Sequence, residues 1–364
     1  MCQRTVEDWL KKLTSNIFQN NLTLINLTAP PLIRWIGSYI NQKTRRFNMK
    51  FYRMVFSVFI LAGLSATASH ADKLPPFGTP TQNQFQDYWY NHGAELSRFS
   101  LRQMRYGEIH EGDAVLVFVT EKMNSDTQIK ADHPGAQDIA ILKLNAVRKF
   151  FTGIYPYSIM TSIFAPVDVQ NYPLPLKISS STQEWCGHAY TQMNLSDNKY
   201  RVRMHSYFEG EGDKDFNLHK VLPEDALWTL IRLAPGSLPR GEFSMIPGTV
   251  YARLAHRPVA AQKAFANLTL FDEKSLEGNP LVIYEINFPD EERTLRIYFE
   301  KDFPHRIQQW HETYKGRIGA GAKILTTRAI RTHTIMEPYW KLHSNKDRRR
   351  LEGLGLSARE MGGK

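Results

Sequence analysis

The sequence predicts a mainly β protein: an antiparallel meander sheet, curled or sandwiched around one or two helices, with α+β character only as a minor component. Three observations carry this. Between residues 85 and 356 about a dozen short stretches rich in Val, Ile, Tyr, Phe and Thr are separated by Gly, Pro, Asn and Asp. Few stretches have helical spacing. The strands also lack the intervening helices of a βαβ fold.

Taken in order, Tyr88-Trp89-Tyr90 opens the folded region in a short helix reaching Phe99. Stretches 104–109 and 114–120 flank Glu111-Gly112-Asp113, an acid-Gly-acid hairpin signal, and the second is apolar on both faces, as a central strand is. Residues 138–152 alternate Ile139, Ile141 and Leu144 with Lys143, Asn145 and Arg148, and 155–166 continue the sheet. A three-strand meander follows at 174–181, 189–194 and 200–208, with its last turn at 194–199 and a loop at 209–213. Leu222-Pro223-Glu224-Asp225 starts a helix whose buried stripe is Leu227, Trp228, Ile231 and Leu233, and Pro235-Gly236 ends it. Further strands are expected at 266–272, 281–288, 293–299, 306–314 and 322–334, with 289–292 as a hairpin turn and a last polar helix at 345–354.

The amino-terminal part has a different character. Lys50 and Arg53 precede the apolar run 54–64, and Ser69-His70-Ala71 supplies a small-x-small cleavage site, the order of parts in a secretory signal peptide. Eleven apolar residues fall short of the about 20 that span a membrane, so no stable span is expected after cleavage. The expected layout is an upstream extension at 1–48 preceding the true start at Met49, a signal peptide at 49–71 cut after Ala71, and a Pro-rich tether at 72–84. A single β-rich exported domain at 85–356 and a tail at 357–364 follow. The destination implied is the periplasm.

Charge follows the same division. Residues 1–71 hold nine Lys/Arg and two acids, so of the formal net charge of +10 only +3 belongs to residues 72–364, and nucleic acid is not an expected partner. Of two cysteines, Cys2 lies in the extension and Cys186 remains alone.

Glu184-Trp185-Cys186-Gly187-His188 is the sharpest local feature. Two readings stay open. In one, Cys186 is a small core residue beside Trp185. In the other, Cys186 is a nucleophile with His188 as its base on the same strand face, and Glu184 or Arg105 orients substrate. The histidines match no zinc-ligand spacing, and no Walker loop, dinucleotide fingerprint or nucleophile elbow occurs, so neither metal nor cofactor is implied. Glycines 316, 319 and 321 read as a flexible connection. The aromatic residues Tyr155, Tyr157, Phe164, Trp185, Tyr190 and Tyr207 are candidates to line an apolar cavity in a curled sheet.

Stretches 88–120 (with His92-Gly93-Ala94-Glu95-Leu96), 152–158 (Thr-Gly-Ile-Tyr-Pro-Tyr-Ser) and 181–188 resemble an uncharacterised family of exported bacterial β-rich proteins. Members are sometimes labelled septum formation inhibitor Maf. The early Ser-x-Ser-Pro-Arg-Arg motif of true Maf nucleotide pyrophosphatases is absent here, so that activity is not expected. The resemblance implies export and a shared fold. Together these readings point to a non-enzymatic periplasmic protein that binds a hydrophobic small molecule or an envelope partner, with a thiol-dependent enzyme using Cys186 and His188 as the alternative.

Overall fold

Fifteen strands form one sheet in which chain neighbours pair antiparallel almost throughout. The computed structural model describes residues 76–316 and 323–356. The extension, the signal segment and the tail expected from the sequence lie outside the described residues, as does most of the glycine-rich connection. Residues 74–364 constitute one unit.

The first arm comprises β1 (Ala94–Arg105), β2 (Glu108–Asn124), β3 (Asp138–Thr152), β4 (Tyr155–Pro166), β5 (Lys177–Glu184), β6 (Gly187–Ser196), β7 (Lys199–Ser206) and β8 (Lys214–His219). The second comprises β9 (Leu222–Pro223), β10 (Gly241–Ile246), β11 (Gln262–Lys274), β12 (Pro280–Phe288), β13 (Arg293–Glu300), β14 (Ile307–Lys315) and β15 (Ile324–Glu337). The arms join where β1 pairs β15, from Ala94 opposite Glu337 to Arg102 opposite Arg328, with a bulge after Arg98. The free edges of the sheet are β8 and β9, yet only Lys220 and Val221 separate them in the chain. The sheet therefore curls until its edges approach, a barrel with one seam that backbone pairing does not close.

Helices fill the barrel. After a 3-10 turn at Glu224–Ala226, α2 (Leu227–Leu233) buries Leu227, Trp228, Thr229, Leu230, Ile231 and Arg232. The sequence predicted a one-sided stripe. The helix is instead enclosed on all sides, because the sheet wraps it: Trp228 meets Trp310 of β14 edge-on at 5.2 Å, and Arg232 lies over Phe118 of β2. Burying each large apolar side chain there contributes roughly 1.5–3 kcal/mol. The short α3 (Thr249–Ala255) closes the barrel end formed by the β1–β2, β3–β4 and β5–β6 turns. Before the sheet, α1 (Gln82–Gln86) is capped by Thr81 and runs into a π-helical turn at Asp87–Asn91.

Several expectations need correction. The opening helix ends at Asn91, and the residues up to Phe99 belong to β1. The first hairpin turns at Tyr106-Gly107, where both residues are left-handed (φ 52° and 78°). Gly112 is mid-strand: a Cβ there would sit 2.2 Å from the carbonyl oxygen of Lys149, so the glycine permits close approach of β3 and marks no turn. Strands β8 and β10 and helix α3 had no counterpart in the sequence reading. The described end of the expected tether packs on the barrel, with Phe77 stacked 6.0 Å from Phe299.

Candidate functional site

The charge inside the barrel is paired. Arg232 donates to both carboxylate oxygens of Glu95 (2.7 and 2.5 Å) and from Nε to the carbonyl of Pro304 (2.9 Å). Arg293 donates through Nη1 and Nη2 to Glu224, both at 2.6 Å, and through Nε to Glu312 at 2.8 Å. The guanidinium of Arg232 outweighs the cost of burial and holds the Glu95 carboxyl below its usual range. A residual cavity of about 20 Å³ lies between Arg148, Asp225, Thr161 and Trp228. That is room for about one water. Burial raises the Asp225 carboxyl to about 7, although Thr249 donates to both its oxygens.

The aromatic residues expected to line an apolar cavity do not gather around one space. Tyr157 is a core residue stacked on Phe150 at 4.8 Å. Phe164 is half-buried in a small cluster with Met123, Ile141 and Leu176. Tyr190 faces outward from β6, and Tyr207 is 79% exposed.

Six of the expected residues, Arg105, Tyr155, Tyr157, Glu184, Trp185 and Cys186, do converge at the barrel end closed by α3. Arg105 ends β1, Tyr155 starts β4, Glu184 ends β5, and Trp185-Cys186 is the β5–β6 turn. A hydrogen-bonded network links them to residues the sequence reading missed. Tyr155 donates to the Tyr106 hydroxyl (3.2 Å), which meets that of Tyr157 (2.9 Å). Arg105 donates to Tyr157, to Tyr106 and, at 2.5 Å, to the carbonyl of Leu254, and lies 3.4 Å from His256 Nε2. His256 Nδ1 and Arg253 Nη1 both reach Glu211 Oε1 at 2.8 Å. Arg253 Nη2 lies 3.5 Å from Glu184, and Glu184 accepts the Cys186 amide at 2.9 Å. Trp185 stacks on Tyr155 at 6.3 Å.

Two members of the network, Tyr106 and His256, hold left-handed backbone (φ 52° and 51°), a strained conformation for bulky side chains that concentrates at functional positions. Burial opposes ionisation of the Tyr106 phenol, but hydrogen bonds from Tyr155 and Tyr157 and the charge of Arg105 outweigh it and lower its pKa. The signal in the sequence was the Tyr106-Gly107 pair between two strands. Nothing local marked Arg253, His256 or Glu211, which arrive through α3 and the β7–β8 loop.

The cysteine fits neither expectation. Cys186 is exposed in the turn, and Trp185 beside it is 69% exposed, so this is no core thiol. A turn also removes the argument that residues 186 and 188 share a strand face. His188 is exposed on β6 and makes no hydrogen bond to Cys186 among the described residues. The hydrogen bond to Glu184, then burial, then the charge of Glu184 raise the thiol pKa, the opposite of nucleophile activation. The buried Arg105 guanidinium is occupied by Leu254, Tyr106 and Tyr157 and orients α3. Among the described residues no helix is long and apolar enough to cross a membrane, and no group of three or more His, Cys, Asp or Glu is placed to hold a metal.

No protein-family model matches the chain, and no curated protein matches it. By fold and site the molecule is a helix-filled, barrel-like antiparallel sheet with an aromatic and ionic end. A solved structure with some likeness is a β-barrel-like protein of the domain of unknown function DUF1849 from Brucella abortus, at TM-score 0.41 and 9% identity, covering 67% of this chain and 98% of that one. No residue role is carried across at that distance.

Proposed function

We propose that this is an exported, periplasmic, non-enzymatic binding protein of the cell envelope, which holds an apolar segment of a partner on the hairpin tips at the α3 end. One observation carries the reading. Ile154, Trp185 and Tyr207, on the tips of three successive hairpins, are 82%, 69% and 79% exposed. Trp and Tyr beside Arg make up the residue set that dominates binding energy in interfaces, and large apolar side chains grouped on adjacent tips mark interaction sites. The network beneath positions them: Tyr155 both stacks on Trp185 and is tied to Tyr106. The order of charged, apolar and small-residue segments over 50–71 supports export. A thiol-dependent reaction has the exposure of Cys186 in its favour and the raised thiol pKa against it.

The test is site-specific photo-crosslinking in cells, with a benzophenone side chain at position 185 or 207 and controls at Phe164 and Phe265 of the second arm. A discrete adduct from the two tip positions, lost when Ile154→Asp is added, is expected. Equal adducts at all four positions, or none, would overturn the reading. Export is checked separately: a periplasmic product beginning at Asp72 supports it, and retention in the cytoplasm removes it.

A further inference from the structure

At the opposite end of the first arm, the outer face of β6 and β7 bounds a concavity of about 680 Å³ under the loop after β2. We infer that this face is a second binding site, separate from the hairpin tips, that takes an acidic saccharide.

The cations come from strand alternation. Lys199, Arg201 and Arg203 are the first three of the four exposed alternate residues of β7, spaced about 7 Å apart. Arg203 has only Asp215 at 3.8 Å, and Lys199 and Arg201 have no ion-pair partner among the described residues. Charge spread over about 13 Å suits an oligomer better than a single ion.

Beside the cations lies a fixed row of carboxamides. Asn194 pairs with Arg201, and Gln192 with Arg203. Tyr190 donates to Gln192 (2.6 Å), Gln192 to Asn194 (2.6 Å), and Asn194 to Gln128 (2.8 Å). Gln128, buried and left-handed at φ 54°, anchors the wall by donating to the carbonyl of Leu195 at 2.6 Å. Such a row presents donors and acceptors with little ordering cost left to meet. The 37% exposed ring of Tyr190 stands at its end, where a pyranose can stack.

Two acids decide the ligand class. Asp126 and Asp197 also line the concavity. They repel a bare phosphate, but they accept hydrogen bonds from sugar hydroxyls while Lys199 and Arg201 meet carboxylates. A second concavity of about 360 Å³ shares Asp197 and Lys199 and extends the groove.

Calorimetric titration of the mature protein with tri-galacturonic acid, in about 50 mM salt so that screening is weak, tests this. Maltotriose and inorganic phosphate are the comparison probes. The acid trimer is expected to bind, with maltotriose about tenfold weaker and the Lys199→Gln/Arg201→Gln protein weakened about tenfold. Tyr190→Ala should lose about fivefold by removing the stacking platform. These exposed substitutions should leave the thermal midpoint in place, and Trp185→Ala should leave the affinity unchanged. No binding by the wild-type protein, binding indifferent to the β7 substitutions, or displacement of the trimer by equimolar phosphate would each overturn the proposal.

Discussion

Arg232 and Arg253 are both partly or wholly buried arginines beside glutamates, and they differ in completeness. Every guanidinium nitrogen of Arg232 donates, to Glu95 and Pro304, and Arg293 is satisfied in the same way by Glu224 and Glu312. Arg253 donates a hydrogen bond through Nη1 alone, to Glu211, while its buried Nη2 has only the longer 3.5 Å ion pair with Glu184 and its Nε no hydrogen bond. Its guanidinium lies over Phe208 at 4.2 Å, next to exposed aromatic tips. The interior pairs fix the helix in the barrel, and the network at the α3 end keeps donor capacity in reserve. On the proposed function, the first region holds the fold and the second meets the partner.

The largest expected effect comes from breaking the complete side. Glu95→Ala strands the buried Arg232 guanidinium and should cost about 3–5 kcal/mol in urea unfolding. The double replacement Glu95→Leu/Arg232→Met should recover most of that loss. A single-variant cost under about 1 kcal/mol would mean that the pair is not desolvated.

Asp225 gives the next effect, through pH. Its carboxyl titrates near 7 in the folded protein and near 3.8 when unfolded, so between those values the native state binds the extra proton. The stability contribution of that proton is fully present below about 3.8 and is lost as pH rises through about 7. Asp225→Asn keeps an acceptor for Thr249 and should flatten this slope, raising the melting temperature at pH 8 relative to wild type. An unchanged slope would assign the titration elsewhere.

The incomplete side should respond weakly in stability. Trp185→Ala or Tyr207→Ala is expected to shift unfolding by about 0.5 kcal/mol or less while removing the tip crosslink. A loss like that of Glu95→Ala would make the tips structural. The smallest effect is at Cys186. The exposed thiol should alkylate with iodoacetamide in native protein, slowly at neutral pH and faster as pH rises, and Glu184→Gln should speed the reaction at pH 7. Fast alkylation of the wild type at pH 7 would restore the nucleophile reading.

Strong local signals survived into the fold. Strands β3 and β4, the turn at Pro289–Glu291 and the polar helix at Asn345–Leu354 lie where alternation and turn residues placed them. Failures came where a residue serves a distant neighbour. Gly112 reads as a turn in sequence and serves the Lys149 carbonyl in space. The edge strand β8, Lys214–His219, is short and has only Phe216 and Leu218, both half-buried, to show its alternation. The site divided in the same way. Tyr155, Glu184, Trp185 and Cys186 were legible because they sit at strand ends of one meander. Glu211, Arg253 and His256 were not, because the packing of α3 alone brings them there.

The order of the strands bears on how the chain folds. Every pairing but one joins strands that are consecutive in the chain, so each arm can form from neighbouring hairpins at low loop entropy. The exception is β1 with β15, where Ala94 meets Glu337. Closing that pair encloses nearly the whole domain in a loop, so it should be the slow, late contact, with each arm able to form before the two zip together. Joining residues 94 and 337 by a short linker and opening the chain at Lys220-Val221 would make all the pairings sequential, and such a permutant should reach the same sheet faster.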